Sequence, residues 1–273
     1  MSARDPHRFI NELDEEALSR LVARLESRAA DAVFARLFEK YADRLVLPEN
    51  ARVLEVGCGT GAPLRMLARR PGFGGRAWGV DQSPYFVAAA SRLAGAEGLG
   101  ERVLFQVGDA HSLDFPAGAF DAVIAHTLIS HAADPAGVLS EMARVVRPGG
   151  TIVVFDGDYA SLTYAYRDRA FGQQMDRALA TATFNNPLVM RDLPGMLAEQ
   201  GLVLAEAWGD VVAEIGKGSY FRSFAETYVP YVKRSRMLPE EAVDQWYGDQ
   251  LRAMEEGSFF AACNYYTYLA RRP

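Results

Sequence analysis

The stretch Val53-Leu54-Glu55-Val56-Gly57-Cys58-Gly59-Thr60-Gly61 constrains this chain more than any other. An apolar run closes on three glycines at alternating positions, and a helical pattern from Pro63 to Arg70 follows at once. That order predicts a strand, a tight turn and a helix start. Glycine at 57, 59 and 61 lets the backbone reach positive φ and approach a ligand with no Cβ in the way. The helix N-terminus behind the turn offers free N–H groups to a polar ligand. A dinucleotide-binding turn has the spacing G-x-G-x-x-G, whereas this one reads G-x-G-x-G.

The pattern repeats downstream. A short apolar strand, Ala77 to Val80, closes on Asp81, and a helix is predicted from Tyr85 to Ala96 behind Ser83-Pro84. A third strand, Val103 to Val107, ends in Gly108-Asp109-Ala110. In an open parallel sheet ligands bind at the carboxyl ends of the strands. Asp81 is therefore placed to receive two ribose hydroxyls, since a carboxylate has acceptors for a vicinal diol. Its other reading is a cap for the helix that follows. Before the first strand, apolar residues from Asn11 to Leu47 recur at three- and four-residue steps, predicting amphipathic helices that pack on the domain or cover the crevice.

The glycine turn with Glu55 two residues before it resembles motif I of the class I S-adenosylmethionine (SAM) dependent methyltransferases. Gly108-Asp109-Ala110 is similar to that family's next motif, in which the aspartate accepts a hydrogen bond from the adenine amino group. Phe120-Asp121, the apolar run to Ala125, then His126, Asp134-Pro135, a helix over Val138 to Val146 and Arg147-Pro148-Gly149-Gly150 resemble the small-molecule branch that includes ubiquinone and menaquinone biosynthesis methyltransferases. His131 stands where that branch carries its second histidine, and Ser130 where it often has the first.

The resemblance implies an α/β, Rossmann-like seven-stranded sheet, mostly parallel with the last strand antiparallel, flanked by helices. The last strand, Phe259 to Leu269, would lie between a fifth strand, Thr151 to Phe155, and a sixth, Val203 to Trp208. Residues 1–50 would form a helical cap and 51–273 the methyltransferase domain, with aromatic-rich helical insertions at about 158–190 and 210–258. SAM is the implied cofactor, held by Glu55, Gly57, Cys58, Gly59, Asp81, Gln82, Asp109, Ala110 and His126. Methyl transfer from a sulfonium needs little acid–base machinery, because positioning supplies most of the rate. A phenol or enol acceptor gains from a base, and His126 and His131 are the candidates, with Asp156 and Asp158 behind them.

A net charge of -6 with no basic block disfavours nucleic acid as a partner, and the segment after Ala125 lacks the Asn/Asp-Pro-Pro-aromatic motif of base-modifying methyltransferases. Cys58 and Cys263 have no metal or disulfide spacing, which with a polar N-terminus (Met1 to Arg8) and no apolar run of membrane-spanning length makes a cytoplasmic location the expectation. The aromatic insertions suit an apolar or aromatic small-molecule acceptor, or else form the core of their own helices. The same faces serve an interface between copies as readily as a cover. Two other functions fit the sequence: a NAD-type oxidoreductase on a similar fold, and a non-catalytic SAM- or ligand-binding protein.

Overall fold

The computed structural model describes residues 5–7 and 9–273; residues 1–4 and 8 of the polar N-terminus lie outside this description. Among the described residues a seven-stranded sheet runs in the order β3-β2-β1-β4-β5-β7-β6. Its strands are β1 (Arg52–Val56), β2 (Arg76–Asp81), β3 (Val103–Val107), β4 (Phe120–His126), β5 (Val146–Tyr164), β6 (Val203–Gly216) and β7 (Phe259–Arg271). β1 pairs in parallel with both β2 and β4, so the strand order reverses there. β7 pairs antiparallel with β5 and with β6.

The central strands β1 and β4 read as near-continuous apolar runs because both of their faces are covered, whereas the edge strand β6 is largely exposed. Along β4, Ala122 and Ile124 enter one core while Val123 and Ala125 enter the other. β5 divides in the same way, with Val153 and Phe155 on the first side and Ile152 and Val154 on the second. The first core also takes α2 (Ala32–Ala42) through Phe34, Leu37, Phe38 and Tyr41, and α3 (Ala62–Arg69) through Leu64 and Leu67. The second is closed by α5 (Pro135–Val145) and α7 (Val189–Glu199).

Helix starts follow the capping chemistry of the sequence. Asp14 caps α1 (Glu15–Ala30), Asp31 caps α2, Ser83 caps α4 (Pro84–Ala96), Asp134 caps α5 and Asp168 caps α6 (Arg169–Thr183), each accepting from a backbone N–H of the first turn. Ser83 therefore does the capping that Asp81 might have done, and Asp81 is left to the strand end.

The two insertions are shorter than the sequence suggests. β5 continues eight residues past Asp156, with a register shift between Asp158 and Thr163, and β6 runs on to Gly216. Both extensions pair with the long β7, down to Tyr164 against Ala261 and Gly216 against Phe259. The partner strand, distant in sequence, carries them further than local patterning foretells. Within 158–190 lies α6, α7 is the helix that leads into β6, and α8 (Tyr220–Ser235) and α9 (Glu240–Glu256) lie within 210–258 before β7.

Candidate active site

The crevice at the carboxyl ends of β1 and β4 opens into a pocket with two chemically distinct halves. The first is built from the glycine turn and the ends of β2 and β3. Gly57, Gly59 and Gly61 adopt φ of 66°, 52° and 70°, the left-handed conformation expected of them. Gly57, Cys58, Gly59 and Thr60 line the pocket together with Glu55, Asp81, Gln82, Asp109 and Ala110.

Each carboxylate in this half has a different setting. Asp81 accepts from Gly59 N–H (2.8 Å) and Ser83 N–H (2.9 Å), one on each oxygen. Burial raises its carboxyl above the usual range, against the pull of those two donors. Asp109 is more exposed and accepts from the backbone and the ring Nδ1 of His111 at 2.9 and 2.8 Å. The backbone donor leads in holding it below the ordinary value. Glu55, 1% exposed, is pushed well up by burial and then by Asp81, and its Oε2 is buried in the pocket wall with no hydrogen-bond partner among the described residues. Gln82 donates from Nε2 to His7 O (2.9 Å), while its own carbonyl accepts from Asn11 Nδ2 (3.0 Å).

The second half is apolar and aromatic. Phe34 and Phe38 from α2, Tyr159 from the β5 extension, Phe184 after α6, and Tyr220, Phe224 and Tyr228 from α8 line it. Tyr159 and Phe184 stack with centroids 3.3 Å apart. Tyr164, Phe221, Trp246 and Phe259 lie buried behind this wall. The aromatic insertions are thus both pocket lining and core.

Both candidate histidines reach the pocket. His126 ends β4, its Nδ1 is 2.9 Å from the Tyr41 hydroxyl and its ring lies 4.6 Å from Phe155. Burial drives its pKa well below the usual histidine value, so it is neutral. Thr127, next in the chain, is held at φ 57° with its N–H on Phe155 O, and its hydroxyl accepts from Arg28 (2.9 Å). His131 bonds through Nδ1 to Asp5 Oδ2 at 2.8 Å. A carboxylate at Nδ1 makes that nitrogen the protonated one and leaves the Nε2 lone pair as the acceptor.

Asp156 and Asp158 are in neither half. Asp156 is fully buried and accepts from Ser130 N–H, Ser130 Oγ and Gly157 N–H, clamping the loop after β4. Asp158 is paired with Arg191 at 2.9–3.0 Å. Their position at a strand end suggested reactivity, but their hydrogen bonds are all inward.

Sequence reasoning missed Asp5, His7, Arg24 and Arg28. The first two sit on an N-terminal segment with no periodic pattern. The arginines had a signal: positions 24 and 28 fall one turn apart on the face of α1 that carries Leu21 and Leu25, and all four side chains line the pocket.

These features fit SAM, with backbone donors, carboxylates at three successive strand ends and an unmatched buried acceptor on Glu55. A family model described as a methyltransferase domain matches residues 54–154. An uncharacterised 37.1 kDa protein of transposon TN4556 from Streptomyces fradiae is 29% identical over 97% of this chain and 78% of its own length. A sterol 24-C-methyltransferase of Yarrowia lipolytica is 33% identical over 47% of this chain, which spans only 34% of that enzyme. Among solved structures, the [4+2]-cyclase SpnF superposes with a TM-score of 0.58 at 26% identity, covering 87% of this chain and 80% of its own. Residues 54–154 thus match a methyltransferase domain, and the fold that carries them is the Rossmann-like fold of the class I SAM-dependent methyltransferases.

Proposed function

We propose that the protein transfers a methyl group from SAM to an apolar or aromatic small molecule. The observation that carries this reading is one continuous pocket in which the motif residues and the aromatic wall meet at His126 and His131. Asp81 would hold the ribose, Asp109 the adenine amino group, and the glycine turn with Glu55 the remainder of the cofactor. Bound there, the cofactor supplies an electrophilic methyl. The chain's own residues supply position and dryness: α1 covers the crevice, with Leu21 and Leu25 in the pocket lining and Leu25 against Gly59.

Where the acceptor must lose a proton, His131 takes it at Nε2, with Asp5 stabilising the imidazolium that forms. His126 serves as a neutral wall residue held by Tyr41. The test is mass spectrometry of small molecules released from freshly purified protein, followed by turnover of SAM carrying a labelled methyl group. Recovery of SAM or S-adenosylhomocysteine and label in a small organic product support the reading; a released nicotinamide nucleotide refutes it. The cyclase neighbour favours a second reading, in which the same pocket binds the cofactor but performs other chemistry. SAM binding with no labelled product from any acceptor would select it.

A further inference from the structure

Three buried or half-buried arginines sit near the pocket, and the fold treats them differently. Arg65, 5% exposed, is neutralised by Glu26 (2.6 and 2.7 Å) and by Glu97. Arg24, 8% exposed, has no carboxylate within ion-pair distance among the described residues. Its guanidinium lies over the rings of Tyr220, Phe224 and Tyr228, at 5.3, 5.1 and 5.0 Å from their centroids. Its hydrogen bonds go to neutral oxygens, Ser223 Oγ at 3.2 Å and Tyr228 Oη at 3.5 Å. Arg28, one turn on, makes no ion pair among the described residues, bonds Thr127 Oγ1 and acts on the Glu55 carboxylate, whose charged form it favours.

A buried charge is costly unless it is paired. Aromatic faces return only part of that cost and leave the charge in place. The neighbouring pocket groups do not neutralise it: His7 is pushed well down by burial, and Asp5 is spent on His131 and on Asn185 N–H. The acidic lining residues, Glu55, Asp81 and Asp109, all belong to the cofactor half. The aromatic half therefore carries uncompensated positive charge in a dry setting, and its free guanidinium donors are left for an incoming acceptor group.

Building on the methyltransferase reading, we propose that the methyl acceptor carries an anionic group, a carboxylate or a phosphate, which pairs with Arg24 while its apolar body lies against the Tyr159–Phe184 wall. Recognition by charge at one end and by area at the other fixes which atom faces the cofactor. The pairing also supplies the counter-ion that the folded chain lacks.

The experiment titrates 2-naphthoic acid, 2-naphthyl phosphate and 2-naphthalenemethanol into protein saturated with S-adenosylhomocysteine, using the wild type, Arg24→Met and Arg24→Lys. A charged hydrogen bond in a dry site is worth about 1.5–3 kcal/mol, so one of the two anions should bind roughly tenfold or more tighter than the alcohol. Arg24→Met should bring that preference to within about threefold, leave S-adenosylhomocysteine affinity unchanged, and unfold no lower than the wild type because an unpaired buried charge is gone. Arg24→Lys, which keeps the charge, should retain part of the preference. The proposal is overturned if the alcohol binds as well as both anions, if the preference survives Arg24→Met, or if that variant loses cofactor affinity in step with the anion. Absence of S-adenosylhomocysteine binding by the wild type would remove the methyltransferase reading itself, an outcome separate from a failed anion preference.

Discussion

Gly59 and Gly61 lie two residues apart in the same turn and have the same backbone conformation, yet alanine should act on them in different ways. An L-residue in the left-handed region costs about 1–2 kcal/mol, and φ is 52° at Gly59 and 70° at Gly61. At Gly61 an added Cβ would fall 2.3 Å from two ring atoms of Phe105, whose side chain packs on the core. Overpacking of that kind adds about 1–3 kcal/mol, so Gly61→Ala should lose roughly 2–5 kcal/mol in all. For a chain of this size that is a fall in Tm of roughly 5–15 °C. At Gly59 the Cβ would meet only the flexible end of Leu25, at 3.0 Å, so the loss is limited to about the backbone term. The new methyl would instead stand between the glycine turn and α1, in the pocket wall where Gly59 N–H also holds Asp81. Gly59→Ala should therefore unfold only a few degrees below the wild type while binding S-adenosylhomocysteine at least about tenfold more weakly, a difference of ~1.4 kcal/mol. Scanning calorimetry and isothermal titration of both variants read the two effects. Wild-type affinity in Gly59→Ala, or equal melting temperatures for the pair, would refute the division of labour within the turn.

The carboxylates give further tests. Asp81→Ala should weaken SAM binding more than Asp109→Ala, because Asp81 is the less exposed of the two and also anchors Gly59 and Ser83; titration of both variants checks the order, and unchanged affinity in both removes the site assignment. Asp5→Asn should lower kcat about tenfold or more on an acceptor that must lose a proton, with cofactor affinity retained; a wild-type pH–rate profile in that variant would reduce Asp5 to a structural role. Burial raises Asp176 from 3.8 to about 7. Its folded pKa is above its unfolded one, so its contribution is fully present below pH 4 and is lost as pH rises through 7. Asp176→Asn should therefore gain stability over the wild type between pH 5 and pH 8, on the order of 2–4 kcal/mol, and urea titrations at the two pH values that show no such divergence would refute it.

What was legible in the sequence is what the backbone does locally. The turn at Gly57 to Gly61 and the strand end at Asp81 each lie within one contiguous strand–turn–helix unit, and Asp109 follows directly on the short strand β3. Apolar run, glycine spacing and cap residue agree there, and the order of β7 between β5 and β6 follows from the family's topology. The lengths of β5 and β6 were not legible, because β7, paired from more than forty residues away, decides how far they extend. Asp156 and Asp158 were misplaced for a related reason. A strand end points a carboxylate at the crevice or at its own loop, and only the hydrogen bonds from Ser130 and Arg191 reveal which.

The acceptor half was hidden by convergence from distant parts of the chain. Asp5 and His7 come from the N-terminal segment, Arg24 and Arg28 from α1, His131 from the loop after β4, Tyr159 from β5, Phe184 from the end of α6, and Tyr228 from α8. The contacts that join them span large separations: Asp5 to His131, His7 Nε2 to Tyr228 Oη at 3.1 Å, and Arg24 to the rings of α8. No short sequence window holds both partners of any of these contacts. The cofactor half needs mostly backbone donors and a carboxylate at each strand end, so one short motif encodes it and the same motif serves many acceptors. The acceptor half needs side-chain charge and shape, which here are divided among elements that also form the protein's core. Specificity in this chain is thus tied to packing: a change that retunes the wall at Phe184 or Phe224 also alters a buried ring contact, at 6.1 Å between those two centroids. Arg24 is the exception. It packs on rings of the same core but has no ion-pair partner among the described residues, so an apolar replacement there removes a buried charge, and it is the position where acceptor choice should be alterable with the least loss of stability.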